Sequence, residues 1–310
     1  MRASPIGRLA GRPATSFGMR ETLWGYLLIS PWLIGFLVFK LVPIGASFWL
    51  SLHSYEVLTP PRWVGPRNYT TFVFQDELFG KSLYNTAYYV VFSVPLGVAV
   101  ALLLALLLNL KLPGVRVFRT VFYVPVVTPV VAVSVLWLFI FSKEYGLLNL
   151  ILGLAGVGRI GWLSDPAWAK PSLVLMSLWG VGGTMVIFLA GLQSVPVQIY
   201  DAAAIDGANG LARFRHITLP MLSPVTFFTL VLGMIGSFQT FTQAYVMTNG
   251  GPADATLFYA LYLYQQAFPF LQMGYASAMA WILLAIVLVL TLVQFGLGRR
   301  WVYYEGETPR

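Results

Sequence analysis

Six long apolar runs constrain this chain more than any other feature of its sequence. Each run exceeds the roughly 20 residues that an α-helix needs to cross a lipid bilayer. Apart from Lys40, the runs contain no Asp, Glu, Lys or Arg. We therefore predict an all-α polytopic membrane protein with six transmembrane helices, and its main solvent is the bilayer. The runs cover residues 23–51, 84–110, 120–142, 171–194, 223–247 and 273–298.

The composition agrees with a membrane protein and excludes several other classes. Charged residues make up only 10% of the chain and hydrophobic residues 58%, whereas about a quarter of the residues in a soluble protein are charged. Because the chain has no cysteine, it has no disulfide framework and no thiol chemistry. The net charge of +8 is interpreted through membrane topology, and no nucleic-acid partner is expected.

Lys and Arg are divided unevenly between the two predicted sides of the membrane. With the N-terminus inside, the inner segments carry twelve of these residues and the outer loops carry six. The positive-inside rule then places both termini in the cytoplasm. We predict cytoplasmic tails at residues 1–22 and 299–310 around a six-helix domain at 23–298. For Lys40, two interpretations remain open: snorkelling to the outer interface or a role inside the transport path.

A polar segment at residues 196–222 separates the fourth and fifth predicted spans. Its composition predicts a cytoplasmic hairpin of two short helices around a turn. Gly207 is suited to the left-handed conformation that ends a first helix. Asn209 or Asp206 can cap the second helix, and Pro220 is expected to stop it. A hairpin of this kind is suited to a groove in a partner protein.

The same segment resembles the cytoplasmic signature loop of the inner-membrane permeases of bacterial ABC importers. That pattern begins Glu-Ala-Ala, continues Asp-Gly-Ala and closes Ile-x-Leu-Pro, and this chain departs from it by having Asp201 in place of Glu. The resemblance implies that the segment couples the membrane domain to ATPase subunits. The residues to which it assigns this role are Asp201, Ala202, Ala203, Asp206, Gly207, Ala208, Phe214, Ile217, Leu219 and Pro220.

Two further motifs extend the resemblance over most of the chain. WVGPRNY stands at residues 63–69 and TNGGP at 248–252, as in carbohydrate permeases of the maltose and glycerol-3-phosphate type. The resemblance implies one half of a heterodimeric pore in the bacterial inner membrane, with a second permease subunit, two ATP-binding subunits and an extracytoplasmic solute-binding protein as partners. ATP and Mg would bind to the ATPase subunits, and this chain would hold no cofactor.

The fifth predicted span suggests where a sugar passes. At about 100° per residue, its small and polar side chains fall on one face of a helix. The alternative is a packing seam, because small residues also bring helices together in bilayers. Glycines in the fourth span have the same two interpretations, close packing or a bent helix beside a cavity. We predict that the path includes Gly183, Gly233, Ser237, Thr240 and Gln243.

Two segments on the predicted outer side have weaker patterns. Residues 143–170 contain several glycines and are predicted to form a loop. Aromatic residues are frequent between 258 and 270. They are typical of an interfacial aromatic belt, and they also suit a docking surface for an external binding protein.

No catalytic or metal site is expected in this chain, which is predicted not to be an enzyme. Its two histidines, His53 and His216, fall on opposite sides of the membrane in the predicted topology. The rival function is a secondary transporter or channel that works without an ATPase. Ion-coupled carriers usually place ionisable residues within their spans, and five of these six spans have none. Within the ABC class, glycerol-3-phosphate or another polyol is the alternative to a sugar.

Overall fold

The computed structural model describes residues 18–110 and 113–303, so most of the predicted N-terminal tail and residues 304–310 of the C-terminal tail lie outside the described residues. The chain divides into two compact units, Met1–Trp49 and Leu50–Arg310. The first helical stretch consists of α1, a π turn at Leu37–Leu41 and α2, which ends just inside the second unit. Helix α1 is Met19–Phe36 and α2 is Val42–Ser51.

This first stretch is a continuous membrane-spanning helix. Residues Glu21–Ser51 have a mean hydropathy of 2.1 and are long enough to cross a bilayer, which confirms the first predicted span. Lys40 lies in the π turn, where the N–H of Val42 donates to the carbonyl of Leu37. The next residue, Pro43, has no N–H of its own to donate. The wider turn therefore accommodates a proline that would disturb an ordinary α-helix at this point.

A short segment outside the spans opens the second unit. Strand β1 (His53–Ser54) pairs antiparallel with β2 (Arg62–Trp63), and α3 covers Arg67–Phe74. Asp76 then caps the long helix α4, Glu77–Leu108, because its carboxylate accepts hydrogen bonds from the N–H groups of Leu78 and Phe79. This cap starts the second span several residues before its predicted beginning at residue 84.

Two of the six predicted spans, the third and the fourth, are bent pairs of helices. Helices α5 and α6 meet at 103°, so the span predicted over 120–142 is a bent pair rather than one continuous helix. The break falls at Thr128, whose extended backbone (φ −82°, ψ 131°) is the conformation favoured before a proline. In the fourth span, α8 and a 3₁₀ turn meet α9 at 49°. These helices are α5 (Val115–Val127), α6 (Val130–Ile140), α8 (Pro166–Ser177) and α9 (Gly182–Ser194), with α7 (Leu147–Leu154) between α6 and α8.

Helix α7 lies within the segment that the sequence predicted to be a loop. Buried Asn149 fixes the chain on both sides of α7, since its amide donates to the carbonyls of Lys143, before the helix, and Ile160, after it. Its carbonyl oxygen accepts from the indole N–H of Trp162 at 3.0 Å. A run of eight residues, LLNLILGL, was too short and too uniformly apolar to be recognised as a helix by its period.

The fifth span differs most from its prediction. The predicted helix over 223–247 is interrupted at residues 239–241, so α13 (Ser223–Phe238) and α14 (Thr242–Met247) are separate. The ring of Phe241 packs against Tyr264 with a centroid distance of 4.8 Å, and this tertiary contact accompanies the break. Before α13, the hairpin contains α10 (Val197–Ile205), α11 (Gly210–Arg213), a π turn at Phe214–Thr218 and α12 (Leu219–Met221).

Helices α15 (Tyr259–Ala267) and α16 (Met273–Gly298) complete the chain, and α16 matches its predicted bounds. The aromatic segment before α16 is not simply an interfacial belt, because Phe258, Tyr259 and Tyr262 are buried. The Tyr262 hydroxyl donates to Asp76 at 2.6 Å. Burial and this hydrogen bond raise the pKa of Tyr262, so the phenol remains a donor. Only the later part of the segment is open, with Phe268 and Phe270 both exposed.

Helix α4 is the central helix of the second unit and contacts α8, α9, α13 and α15. One apolar cluster, which includes Phe72, Phe141 and Tyr259, surrounds its first half. A second cluster, which includes Ala105 and Phe188, surrounds its last half. Among the residues that the structure describes, three unbroken helices and three bent pairs are long and apolar enough to cross a membrane. The predicted all-α, six-span architecture is confirmed.

Successive spans alternate in direction, which gives each connecting segment a side. The loop after α4 and the hairpin of residues 196–222 share one side, called here the hairpin side. The segment 248–257 lies on the other side, called here the turn side. Its NGGP turn follows α14 as predicted, and Asn249 and Gly250 adopt positive φ there.

Candidate functional site

The turn of the hairpin has the conformation that its sequence predicts. Gly207 has φ +77°, which only glycine adopts at low cost. Its N–H donates to the carbonyl of Ala204, and the N–H of Ala208 donates to that of Ala203. These two bonds form a Schellman motif, which satisfies the last carbonyls of α10. The first arm of the hairpin therefore ends at a fixed point with a fixed exit direction.

The second arm begins as predicted but does not end as predicted. The Asn209 carboxamide accepts a hydrogen bond from the N–H of Ala212 at 2.8 Å and so caps α11. Pro220 was expected to stop this arm, yet helical structure continues through it to Met221. The π turn at Phe214–Thr218 explains the difference, because it widens the helix immediately before the proline, which lacks an N–H. The chain then bends by 61° into α13.

Two contacts fix the hairpin, one between its arms and one at its base. The hydroxyls of Tyr200 and Thr218 lie 2.9 Å apart and join the two arms. At the base of the hairpin, Leu222 is fully buried in the apolar cluster that α4 and α9 form. A Cβ built on Gly191 would lie 3.0 Å from Leu222, so α9 packs tightly against this base.

The predicted coupling residues divide into exposed and half-buried sets. The exposed set is Asp201, Ala202, Asp206, Gly207 and Leu219. The half-buried set is Ala203, Ala208, Phe214, Ile217 and Pro220.

Two apolar side chains that the sequence pattern did not single out are exposed on either side of the Gly207 turn. Ile205 is 87% exposed and Leu211 is 75% exposed. They flank the Gly207 turn and give the tip of the hairpin an unpartnered apolar surface.

A cavity of about 310 Å³ lies among the bent helices of the second unit. It sits where α5 meets α6 and where α8 gives way to α9, so the breaks in these spans are what open it. Its wall combines aromatic and apolar side chains with three polar ones, and none of the described residues that line it is charged. The lining residues include Tyr89, Thr128, Leu173, Ser177, Trp179 and Gln243.

The structure separates the predicted path residues instead of placing them on one helix face. Gln243 lines the cavity, and Thr240 lies beside it, since its side chain interacts with the hydroxyl of Tyr89. Ser237 is half-buried on α13, before the break. The prediction of a single stripe is therefore wrong beyond Phe238, although its two C-terminal members lie at the cavity.

The two predicted glycines of the path lie in helix contacts. A Cβ on Gly233 would stand 3.1 Å from Val94 of α4, and one on Gly183 would stand 3.8 Å from Val126 of α5. The contact at Gly233 is the tighter one and favours the packing interpretation there. In the fourth span, Gly182 makes the closest approach, because a Cβ there would overlap the carbonyl oxygen of Phe122.

Tyr89, Ser177 and Trp179 were not predicted from the sequence. Each stands in an apolar run that was assigned only as a membrane span, and no local pattern separates them from structural residues. One signal was available in the fourth span, where the Gly180, Gly182 and Gly183 group indicated a possible bend. That bend is present, and Gly180 lines the cavity.

Comparison with known proteins places this architecture in a family. The family described as "Binding-protein-dependent transport system inner membrane component" matches residues 93–303, which is more than half of the chain. This chain belongs to that family. The match covers most of the permease's cavity wall and its whole hairpin.

Two curated relatives match almost the full length of this permease. One is the probable ABC transporter permease protein YesP of Bacillus subtilis (strain 168), 44% identical over 292 residues, with 93% of this chain and 94% of the relative covered. Another is the trehalose/maltose transport system permease protein MalF of Thermococcus litoralis, 36% identical over 282 residues, with 90% and 95% covered.

A solved structure agrees with the fold of the permease. The crystal structure of a bacterial ABC transporter involved in the import of the acidic polysaccharide alginate superposes with a TM-score of 0.79 at 25% sequence identity. The match covers 91% of this chain and 96% of the other chain. Sequence and structure comparisons therefore agree that this is a multi-pass permease of the ABC importer class.

Proposed function

We propose that this chain is one of two permease subunits of an ATP-driven importer of neutral sugars in a bacterial inner membrane. The observation that carries the proposal is the combination of an uncharged cavity between bent spans with a rigid hairpin, in a member of this permease family. The chain would provide half of the path, while its partner ATPases bind ATP and Mg and hydrolyse the nucleotide. The hairpin side is then cytoplasmic, as are both termini.

The cavity wall favours a neutral sugar over glycerol-3-phosphate. Its described polar members are Thr128, Ser177 and Gln243, with the phenol of Tyr89 beside them. Hydroxyl and amide groups hydrogen-bond to sugar hydroxyls without a fixed charge. A phosphate ester would be expected to meet an arginine or a lysine, and none of the described lining residues is basic.

The hairpin supports coupling to an ATPase. Its exposed apolar tip, Ile205 and Leu211, is suited to a hydrophobic groove, as amphipathic helices generally are. Its base is fixed through Leu222 to the cluster around α4 and α9. When the ATPases close on ATP, a movement of the tip would therefore reach the helices that form the cavity, and the spans would alternate between outward-open and inward-open arrangements.

The remaining partners in the proposal are a second permease subunit and an extracytoplasmic solute-binding protein. The family description supports the binding protein, because it names transport that depends on one. The exposed rings of Phe268 and Phe270, on the turn side, are a candidate part of its docking surface. A lone secondary transporter or channel would not use the hairpin.

Reconstitution tests this function directly. The chain is purified with its co-expressed neighbours and placed in liposomes with the candidate binding protein. ATP hydrolysis is measured against a panel of neutral mono- and oligosaccharides and against glycerol-3-phosphate. We expect one or a few neutral sugars to stimulate hydrolysis and uptake, and omission of the binding protein to remove the stimulation. Sugar uptake without ATP would overturn the ATP-driven mechanism, and stimulation by glycerol-3-phosphate alone would overturn the proposed substrate class.

A further inference from the structure

A second cavity, of about 640 Å³, lies on the hairpin side and is separate from the one between the bent spans. It forms where α4 ends and α5 begins, next to the end of α9. Two arginines, Arg116 and Arg119, line it together with the side-chain amides of Asn109 and Gln193. None of its described lining residues is acidic.

The two positive charges have no counterion in the part of the chain that the structure describes. The ion pairs there are Lys81–Asp254 and Arg159–Glu144, and both lie on the turn side. One nitrogen of Arg119 donates to the carbonyl of Leu108 at 2.8 Å, which fixes the guanidinium at the end of α4. Its Nε is buried with no hydrogen-bond partner among the described residues. The charge of this guanidinium therefore has one backbone acceptor and no acidic partner among the described residues.

The start of α5 adds to the positive potential. Gly114 precedes the helix without a capping side chain, and the first turn contains no acidic residue. The N-terminus of a helix carries a partial positive charge, and here Arg116 in the first turn adds a full one. These two positive charges repel each other without a ligand. A bound anion would attract both and make the arrangement favourable.

The surroundings of the cavity indicate where the anion comes from. Leu107 at the end of α4 is 60% exposed, and Val117 and Phe118 at the start of α5 are 65% and 56% exposed. Apolar surface that a spanning helix leaves uncovered is suited to contact with acyl chains. A lipid phosphate is therefore positioned to reach the arginines while its chains cover these side chains, whereas a soluble phosphate would leave them uncovered. Basic pockets between spanning helices bind anionic headgroups in this way.

We propose that this cavity binds the phosphate headgroup of an anionic phospholipid in the leaflet on the hairpin side. Arg119 holds the phosphate through the guanidinium that its bond to Leu108 fixes at the cavity. Arg116 supplies the second charge at the rim. Because the loop between α4 and α5 and the coupling hairpin share one side, the lipid occupies the face of the membrane that the proposed ATPases approach.

Lipid binding is measured on the full chain, purified in a mild detergent with the subunits that co-purify. Phosphatidylglycerol and phosphatidylcholine of the same acyl composition compete for the protein, and native mass spectrometry counts the bound molecules. Each arginine near a headgroup contributes about fivefold in affinity. We expect phosphatidylglycerol to be preferred, Arg116→Gln to reduce the preference about fivefold, and Arg116→Glu to abolish it.

Arg300→Gln is the matched control, since Arg300 is an exposed arginine on the same side but outside the cavity. It should leave the preference unchanged. Arg119→Gln also removes the bond to Leu108, so the exposed Arg116 is the cleaner position. The proposal is overturned if Arg116→Glu and Arg119→Gln both retain the wild-type preference. It is also overturned if millimolar inorganic phosphate displaces the lipid and stabilises the protein equally well. Neither readout requires transport, so the result is independent of the proposed sugar uptake.

Discussion

The side-chain amide of Asn85 donates to two backbone carbonyls of the segment 248–257, those of Asp254 at 2.8 Å and Leu257 at 3.1 Å. Asn85 is 1% exposed, and its own carbonyl oxygen accepts from Lys170 at 2.9 Å. The hydroxyl of Thr86, the next residue, accepts from the N–H of Tyr259. Two adjacent polar residues of α4 therefore fix the turn segment between α14 and α15. Only the short helix α14 separates this segment from the break that carries Thr240.

Asn85→Leu is predicted to destabilise this end of the protein. The change leaves two carbonyls without their donor in a buried setting, at about 1–3 kcal/mol for each group. We expect a lower Tm for the detergent-solubilised chain and reduced expression in the membrane. Gln75→Leu, at an exposed amide, is the control and should unfold like the wild type. Equal Tm values for the two variants would contradict a structural role for Asn85.

Gly207→Val is predicted to abolish transport while the protein remains in the membrane. The strain arises from the backbone, because φ is +77° and no atom lies within 4 Å of the position that a Cβ would take. A left-handed non-glycine residue costs about 1–2 kcal/mol, and the hairpin turn relaxes to avoid it. Uptake and co-purification of the ATPase measure the effect.

Gly210→Ala provides the matched control for that turn, since Gly210 is helical and also has open space around it. It should transport normally. Gly207→Asn should retain partial activity, because Asn tolerates the left-handed region. If Gly207→Val transports like Gly210→Ala, the turn does not set the position of the hairpin.

The exposed tip of the hairpin gives a prediction about partner binding. Ile205→Ser and Leu211→Ser remove apolar surface that the described chain leaves uncovered, so the fold should not change. We expect the ATPase to dissociate during purification, with unchanged insertion of the permease. Leu154→Ser, at an 86% exposed leucine of α7, serves as the control and should co-purify normally. Retention of the ATPase by the double variant would show that the contact lies elsewhere on the hairpin.

Gly182 and Gly183 are adjacent, but they are expected to differ in how well they tolerate alanine. A methyl group on Gly182 would meet the backbone of Phe122, whereas one on Gly183 would only touch Val126. Overpacking of this kind costs about 1–3 kcal/mol. Gly182→Ala should therefore lower the Tm, and Gly183→Ala should match the wild type. If Gly183→Ala changes sugar affinity without changing the Tm, the assignment of Gly183 to the path gains support over packing.

The hairpin was predictable because its signals are local. A glycine that ends a helix and an asparagine that starts one act within four residues, so Gly207 and Asn209 have the roles that the sequence predicts. The bend at Thr128 is also local, since it follows from the next residue being proline. It was missed because the hydropathy of the run is unbroken.

The interruption after Phe238 could not be predicted in the same way. Nothing in the residues 239–241 forbids a helix, and the contact that accompanies the break joins Phe241 to Tyr264, which lies far along the chain. The burial of Phe258 and Tyr259 also depends on distant residues, because both pack against the first half of α4 and Thr86 accepts from the N–H of Tyr259. Helical periodicity therefore assigned Thr240 and Gln243 to a stripe on a helix that ends before them.

The last prediction concerns those two residues and the cavity. Thr240→Val and Gln243→Leu keep the side-chain size but remove the groups able to bind a sugar hydroxyl. One lost hydrogen bond corresponds to about a two- to tenfold change in affinity, so the KM for transport should rise by that factor in each variant. Basal ATP hydrolysis and assembly should not change, because neither residue lies in the hairpin.

Thr291→Val is the control for these variants. It removes a hydroxyl from a spanning helix without removing a proposed sugar contact. Thr291 lies in α16, where its hydroxyl bonds to the carbonyl of Val287 in the same helix, far along the chain from the cavity residues. Its KM should equal that of the wild type. If all three variants shift KM equally, the effect is a general loosening of the spans. If only Gln243→Leu and Thr240→Val shift it, the sugar passes the break after Phe238, because helix packing alone would reduce assembly before it altered KM.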